Sequence, residues 1–258
     1  MTEITFKSDM TVELIDSMGT DETVSRAARV STGKDQLEQG KIEGLIGYLM
    51  REGHTSCFEH CTVTIRAHVP IFVHRQLMTH RTLAKNSESG RYKELEPVFY
   101  VPAEDRPLVN AGSGAHPKLE PAKHPYTRDV VQAMHKEAAA SSWHMYEYMI
   151  SGDFERDDVI ATEVARNILP VSTYTSLYMT GNLLAWFNFL RLRNGAHGSP
   201  QYEIVEVAQK VEALIADLYP LSYKAWKAWK ATLCTGSTRL SSGLPRGTSM
   251  AITPGGKP

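Results

Sequence analysis

The sequence predicts an α+β fold in one domain, and three features carry that reading. Stretches alternating apolar and polar residues lie far apart, at Thr11–Asp16, Cys61–Val69 and Val171–Gly181. Helix-period stretches separate them without the regular strand–helix–strand rhythm of a parallel sheet. The chain has 258 residues, enough for one sizeable core.

Taken in order, Val12 and Leu14 alternate with polar neighbours and predict a short strand over Thr11–Asp16. Asp21–Ser31 reads as a helix. Leu37–Arg51 is a clearer one, because Ile42, Leu45, Ile46 and Leu49 recur at i, i+3, i+4 and i+7. In the strand Cys61–Val69, one face carries Cys61, Val63, Ile65, Ala67 and Val69, and the other Thr62, Thr64, Arg66 and His68. Pro70 opens a helix over Ile71–Thr79, since proline suits a first helical turn. A polar loop is expected at His80–Arg91 and a strand near Val98–Val101. Residues 103–125 mix Gly, Pro and charge without period and read as an exposed insertion. Helices are expected at 126–150 and 154–168, the second stopped by Pro170. The strand Val171–Gly181 then leads into helices at 183–193 and 201–218. The domain is therefore placed at 1–234, with 235–258, rich in Gly, Ser, Thr and Pro, as a flexible tail.

Composition excludes several classes. With 28 Lys+Arg against 29 Asp+Glu the net charge is -1, so the chain lacks the basic surplus of a nucleic-acid polymer binder. Three cysteines, none in a CxxC pair, supply neither a disulfide framework nor a zinc ribbon. The longest apolar stretch, Ser176–Leu190, is interrupted by Thr180, Asn182 and Asn188 and is too short to span a bilayer. No signal-type segment opens the chain, so a cytoplasmic location away from membranes is expected.

The densest polar cluster is Thr79–Tyr92, which holds His80, Arg81, Lys85, Asn86, Ser87, Ser89, Gly90 and Arg91. Arginine forks, hydroxyls and a glycine that admits close backbone approach suit a phosphate or carboxylate. A solvated surface loop is the plain alternative. His54, Cys57, Glu59, His60 and Cys61 form a second cluster whose spacing matches no zinc finger, so no metal is expected. Arg166, Asn182, Arg193 and His197 each have ordinary structural explanations when taken singly. Asn182, for instance, is a suitable N-cap for the helix that follows. There is no GxSxG, no HExxH, no Walker-type phosphate loop and no dinucleotide-binding glycine fingerprint.

The segment HRQLMTHRTLAKNSESGRY resembles the signature of the flavin-dependent thymidylate synthases: Arg-His-Arg, seven residues, then Ser and a nearby Arg. His80-Arg81 and Ser89-Gly90-Arg91-Tyr92 stand at that spacing. The likeness extends to Gly53-His54, Phe58-Glu59-His60, Arg75-Gln76, Ala165-Arg166 and Gly181-Asn182, and on to Asn188-Phe189, Leu192-Arg193 and His197. It covers about residues 10–225. The resemblance implies a mixed sheet with flanking helices and a homotetramer with active sites between subunits. It implies a methyltransferase that converts dUMP to dTMP, with methylenetetrahydrofolate as carbon donor, FAD as cofactor and NADPH as reductant. Carried over position by position, the flavin contacts fall on Ser31, Ser56, Glu59, His80, Arg81, Asn182, Asn188 and His197. The dUMP contacts fall on Gln76, Ser87, Glu88, Ser89, Gly90, Arg91, Arg166 and Arg193. Arg193, His54 and Ser89 would stand closest to the chemistry. Arg193 would favour the N3-deprotonated pyrimidine, His54 would lie against the flavin, and Ser89 would orient the phosphate.

The chain departs from the family pattern in places. Thr79 replaces the first Arg of the signature, Ser87 a common Glu, Ala84 a frequent Ser and Leu184 a frequent Arg. Lys85 is an added cation. These changes leave two rival outcomes open: 5-hydroxymethylation of a pyrimidine deoxynucleotide, and a non-catalytic flavin or nucleotide binder.

Overall fold

A computed structural model describes residues 2–33, 39–114, 117–152, 158–194 and 200–234. Its centre is a four-stranded antiparallel sheet made of β2 (Thr11–Met18), β3 (Thr62–Pro70), β8 (Tyr174–Asn182) and β4 (Ala84–Ser87), in that spatial order. The register runs from Thr62 opposite Asn182 to Pro70 opposite Tyr174, and β4 joins the other edge of β8 from Ala84 opposite Thr180 to Ser87 opposite Leu177. A parallel pair joins β1 (Thr5–Lys7) to β5 (Val98–Tyr100), and the two-residue strands β6 (Val109–Asn110) and β7 (Leu119–Glu120) pair antiparallel.

Alternation fixes the buried face of the sheet. Cys61, Val63, Ile65, Ala67 and Val69 are each at most 1% exposed, so the predicted inward face is the observed one. Leu177 and Met179 extend it across β8. Against this face pack α2 (Gln39–Arg51), α6 (Leu183–Arg193), α7 (Tyr202–Leu218) and α8 (Pro220–Cys234), through Ile46, Trp186, Phe187, Val207, Val211 and Trp226 among others. A smaller cluster of Phe99, Ala139, Trp143, Tyr146 and Ala165 seats α4 (Tyr126–Ile150) beside β5. α1 (Asp21–Arg29) and α3 (Ile71–Leu77) complete the set with the short α5 (Thr162–Ala165). Observed and expected fold class agree: mixed α+β with helices flanking a sheet.

Several elements differ from the sequence reading. The expected loop His80–Arg91 contains β4, held to β8 by backbone pairing rather than by any alternation of its own side chains. Of the helix expected at 154–168, the described residues show α5 and a 3-10 turn at Arg166–Ile168 with no helix over 158–161, and 153–157 lie outside the described residues. β8 starts at Tyr174 because Thr173 closes a turn, its N–H and hydroxyl both donating to the Pro170 carbonyl at 3.0 and 2.7 Å. β1 and α8 had no counterpart in the sequence reading. Most of residues 103–125 is exposed, but Arg106 is not: it is ion-paired to Glu203 of α7. The tail from 235 lies outside the described residues.

Candidate functional site

Three segments bring the candidate residues together. The α3 helix carries His74 and Gln76 and runs into Thr79 and His80. The α6 helix ends at Arg193, and β4 continues through Ser87 to Arg91. Antiparallel pairing on β8 sets β4 beside the strand that feeds α6, so residues as far apart in sequence as Ala84 and Thr180 become neighbours.

Arg193 is the centre of the first group. Its Nε donates to His80 Nε2 at 2.9 Å, Nη1 to Gln76 Oε1 at 3.2 Å and Nη2 to Thr79 Oγ1 at 3.1 Å. Gln76 in turn donates to Gln201. The Thr79 hydroxyl proton goes to the Gln76 carbonyl at 2.7 Å, so its oxygen is left to accept from Arg193. His80 is buried and stacks edge-on to Phe189, with ring centroids 4.9 Å apart. Burial, then the positive charges of Arg193 and Lys85, lower its pKa to about 4. Because an arginine Nε–H can only donate, His80 Nε2 must accept, and the neutral ring carries its proton on Nδ1. Lys85 donates to the backbone carbonyls of His80 and Leu83, locking this corner. The result is a cationic group with neutral partners, suited to an anion.

A cavity of ≈ 300 Å³ is walled in part by His74, on the same helix as Gln76, and by Ser87, Glu88, Gly90 and Arg166. His74 Nε2 lies 2.8 Å from Ser87 Oγ, and burial lowers the His74 pKa. Glu88 does not oppose an anion here as a free charge, since it accepts from the Ser176 N–H at 3.1 Å and pairs with Lys93 at 2.6 Å. A Cβ at Gly90 would press on the Leu95 side chain at 3.1 Å, so local packing also favours glycine there. Arg91 pairs through Nε with Glu163 at 2.8 Å, leaving its Nη groups as donors. The Ser89 hydroxyl accepts a long 3.4 Å bond from the Arg91 N–H. A second hollow of ≈ 600 Å³ shares Ser87 and Glu88 with the first, takes in Ser89, and extends over Arg66, His68 and Lys93 on the open face of the sheet. By contrast the ≈ 480 Å³ cavity beside α7 is walled by Asp9, Asp105, Glu203 and Glu206 and suits no anionic nucleotide.

Of the predicted flavin residues, Ser56, Glu59 and Asn182 lie around the first turn of α6. Leu183 N–H donates to the Cys61 carbonyl at 2.9 Å, which holds the 3-10 turn Ser56–His60 against that turn. Ser56 and Glu59 are exposed there, as is His54 just before it. Asn182 caps α6 by accepting from the Ala185 N–H at 2.8 Å, as its position in the sequence predicted. The cap occupies its oxygen and leaves its amide N–H groups. Asn188 is exposed further along α6, and Arg81 is exposed beside His80. Ser31 stands apart in the turn after α1, its hydroxyl donating to the Ala28 carbonyl at 3.2 Å. His197 lies outside the described residues. Exposed hydroxyl, amide and guanidinium groups in this arrangement fit a large acceptor-rich ligand such as a flavin dinucleotide. Among the described residues no group of three His, Cys, Asp or Glu could hold a metal, and no helix is long and apolar enough to cross a membrane.

The sequence reading did not single out His74, Glu163 or Gln201. Each is an ordinary residue locally, and only its tertiary partner gives it a place. The one available signal was His74 on the same helix as Gln76.

Comparison with known proteins gives the class of enzyme to which this fold belongs. Residues 13–221 match the family described as thymidylate synthase complementing protein. A flavin-dependent thymidylate synthase of Streptomyces avermitilis is 41% identical over 235 residues, covering 85% of this chain and 92% of the relative. One from Tropheryma whipplei is 39% identical over 231 residues, covering 85% and 93%. Among solved structures, a UMP/dUMP methylase PolB from Streptomyces cacaoi bound with 5-Br dUMP superposes with a TM-score of 0.79 at 40% identity, covering 87% of this chain and 97% of that one. The same protein bound with 5-Br UMP gives 0.78 at 38% identity, covering 88% and 97%. The chain belongs to the flavin-dependent thymidylate synthase family. It is a methyltransferase of that type, with FAD as its cofactor.

Proposed function

We propose that the chain reductively methylates dUMP at C5 to give dTMP, taking the carbon from methylenetetrahydrofolate and the reducing power from NADPH. The enzyme is read as a cytoplasmic homotetramer whose active sites are completed between subunits, with no nucleic-acid polymer or membrane as partner. The observation that carries this reading is Arg193, a cation whose hydrogen-bond partners, Gln76, Thr79 and His80, are all neutral. Such a group favours the N3-deprotonated form of a uracil, which raises electron density at C5.

The other residues take supporting roles. Arg166 and Arg91 neutralise the phosphate, with Ser89, Gly90 and the Ser87–Glu88 backbone setting its orientation. Gln76 holds Arg193 and faces the nucleotide. Ser89 has no adjacent general base, so it acts as a positioning contact rather than a nucleophile. Ser31, Ser56, Glu59, His80, Arg81, Asn182, Asn188 and His197 hold the flavin, and His54 lines the approach to it. Bound FAD supplies the reducing equivalents that convert the transferred carbon to a methyl group.

The test incubates the protein with dUMP, methylenetetrahydrofolate, FAD and NADPH and identifies the nucleotide by mass. A product heavier by one methylene unit is expected. A hydroxymethylated nucleotide, or bound yellow flavin with no turnover, would overturn the reading in favour of one of its two rivals. Arg193→Ala is expected to abolish turnover while keeping the flavin absorbance, and loss of flavin in that variant would reassign Arg193 to the cofactor.

A further inference from the structure

We infer that Thr79 is a positioning residue for Arg193, forming with Gln76 and His80 a cradle of neutral acceptors that aims the guanidinium at the nucleotide base. The inference rests on the reading of Arg193 given above. It concerns the position at which this chain lacks the arginine of the family signature.

The hydrogen-bond roles in the cradle are fixed. Arg193 spends three of its five N–H donors, one each on Nε, Nη1 and Nη2. The Thr79 hydroxyl has given its proton to the Gln76 carbonyl, so only its oxygen is available to Arg193. Gln76 has its amide N–H on Gln201 at the start of α7, which leaves its oxygen for Arg193. His80 accepts through Nε2. One N–H on each Nη therefore remains, a pair that suits the adjacent oxygen and nitrogen acceptors of a deprotonated imide. Among the described residues, no carboxylate is a hydrogen-bond partner of Arg193. Among the described residues, the charged and titratable groups near it include His80, Lys85 behind His80, Arg81, Lys230 of α8, which donates to Asn194 at 2.6 Å, and Glu212 of α7, which is engaged by Asn194 and by Tyr223. Its charge is thus left to the ligand. A second cation at position 79 would repel Arg193, whereas a hydroxyl oxygen holds it.

Loss of the Thr79 oxygen frees one arm of the guanidinium and weakens its alignment with the imide. The imide of the bound base should then ionise at higher pH, because the cation that stabilises the anion is less well placed. Thr79 is exposed, so replacing it leaves the core intact. Two variants separate the oxygen from the bulk: Thr79→Val removes the acceptor at nearly constant shape, and Thr79→Ser retains it.

Two measurements are made on wild type and both variants. The first is ionisation of bound 5-bromo-dUMP, followed by difference absorption against pH, which requires no turnover. The second is the pH profile of kcat with dUMP and the cosubstrates. Thr79→Val is expected to move the imide ionisation and the acid limb of kcat upward by about one pH unit, and to lower kcat about tenfold near neutrality, as expected for loss of a charged hydrogen bond. KM for dUMP should change less than kcat, flavin absorbance should persist, and Thr79→Ser should restore the wild-type values. Unchanged ionisation in Thr79→Val, or a Thr79→Ser variant that behaves like it, would overturn the role of Thr79. If the ionisation shift appears while wild type makes no methylated product, the functional reading fails and the positioning role stands. Failure of wild type to bind 5-bromo-dUMP would remove both.

Discussion

His80 shows how one buried ring links the site to stability. Burial, Arg193 and Lys85 hold it neutral down to about pH 4, against about 6.5 for a free imidazole. Between those values the unfolded chain binds a proton that the folded chain does not. Stability therefore rises with pH across that window and is level above it, with the full contribution on the order of 3 kcal/mol. Urea midpoints should fall as pH drops from 7 to 4.5, and His80→Gln, which keeps an acceptor for Arg193 but cannot titrate, should fall less. Equal losses in the two proteins would show that His80 is not the titrating group. The residue scale is also where the sequence was most legible. Asn182 performs the capping its position predicted, and the inward face from Cys61 to Val69 is the one that alternation selected. The Arg193 cradle was not legible, because His80 and Arg193 lie 113 positions apart and nothing local to either names the other.

At the scale of elements, the regular periods were readable and the borrowed ones were not. The α6 helix spans the predicted 183–193 because its apolar residues are dense and a cap precedes it. The β4 strand has only Ala84, Lys85, Asn86 and Ser87, too short and polar to show alternation, and it exists because the edge of β8 offers backbone partners. The α8 helix is a sharper case. Its start is capped by Asp21, which accepts from the Leu221 N–H at 2.8 Å, the Ser222 N–H at 2.9 Å and the Ser222 hydroxyl at 2.5 Å. That cap comes from a residue 200 positions earlier, so no local motif announces it. Asp21→Ala is expected to cost about 2 kcal/mol, toward the upper end for a cap because the aspartate is buried. It should also speed amide exchange in the first turn of α8 more than elsewhere. Uniform exchange across the molecule would mean that Asp21 supports the core generally rather than that helix start.

For the whole molecule, the tie between residues 103–125 and the core is an ion pair. Glu203 is 2% exposed, and it accepts from Tyr100 at 2.7 Å and from Arg106. Arg128 holds the same segment by donating to the Arg106 carbonyl at 2.9 Å. Removing Arg106 alone leaves a carboxylate buried without its counter-ion. Arg106→Met should therefore cost about 3–5 kcal/mol, while Arg106→Met with Glu203→Met should recover most of it, since an apolar pair avoids the unpaired charge. Chemical denaturation of the single and double variants checks this, and a double variant as unstable as the single one would refute it.

The sequence by itself determined the α+β class, the long periodic elements, the inward face of β3 and, through the spacing of His80, Arg81, Ser89 and Arg91, the family resemblance. These depend on local periodicity and on short-range order, which a chain carries before it folds. Tertiary structure alone decided that Thr79, Gln76 and His80 surround Arg193, that His74 meets Ser87 and that Asp21 begins α8. Each of those contacts joins distant segments through packing of the whole core, and donor–acceptor geometry is set only when that packing closes.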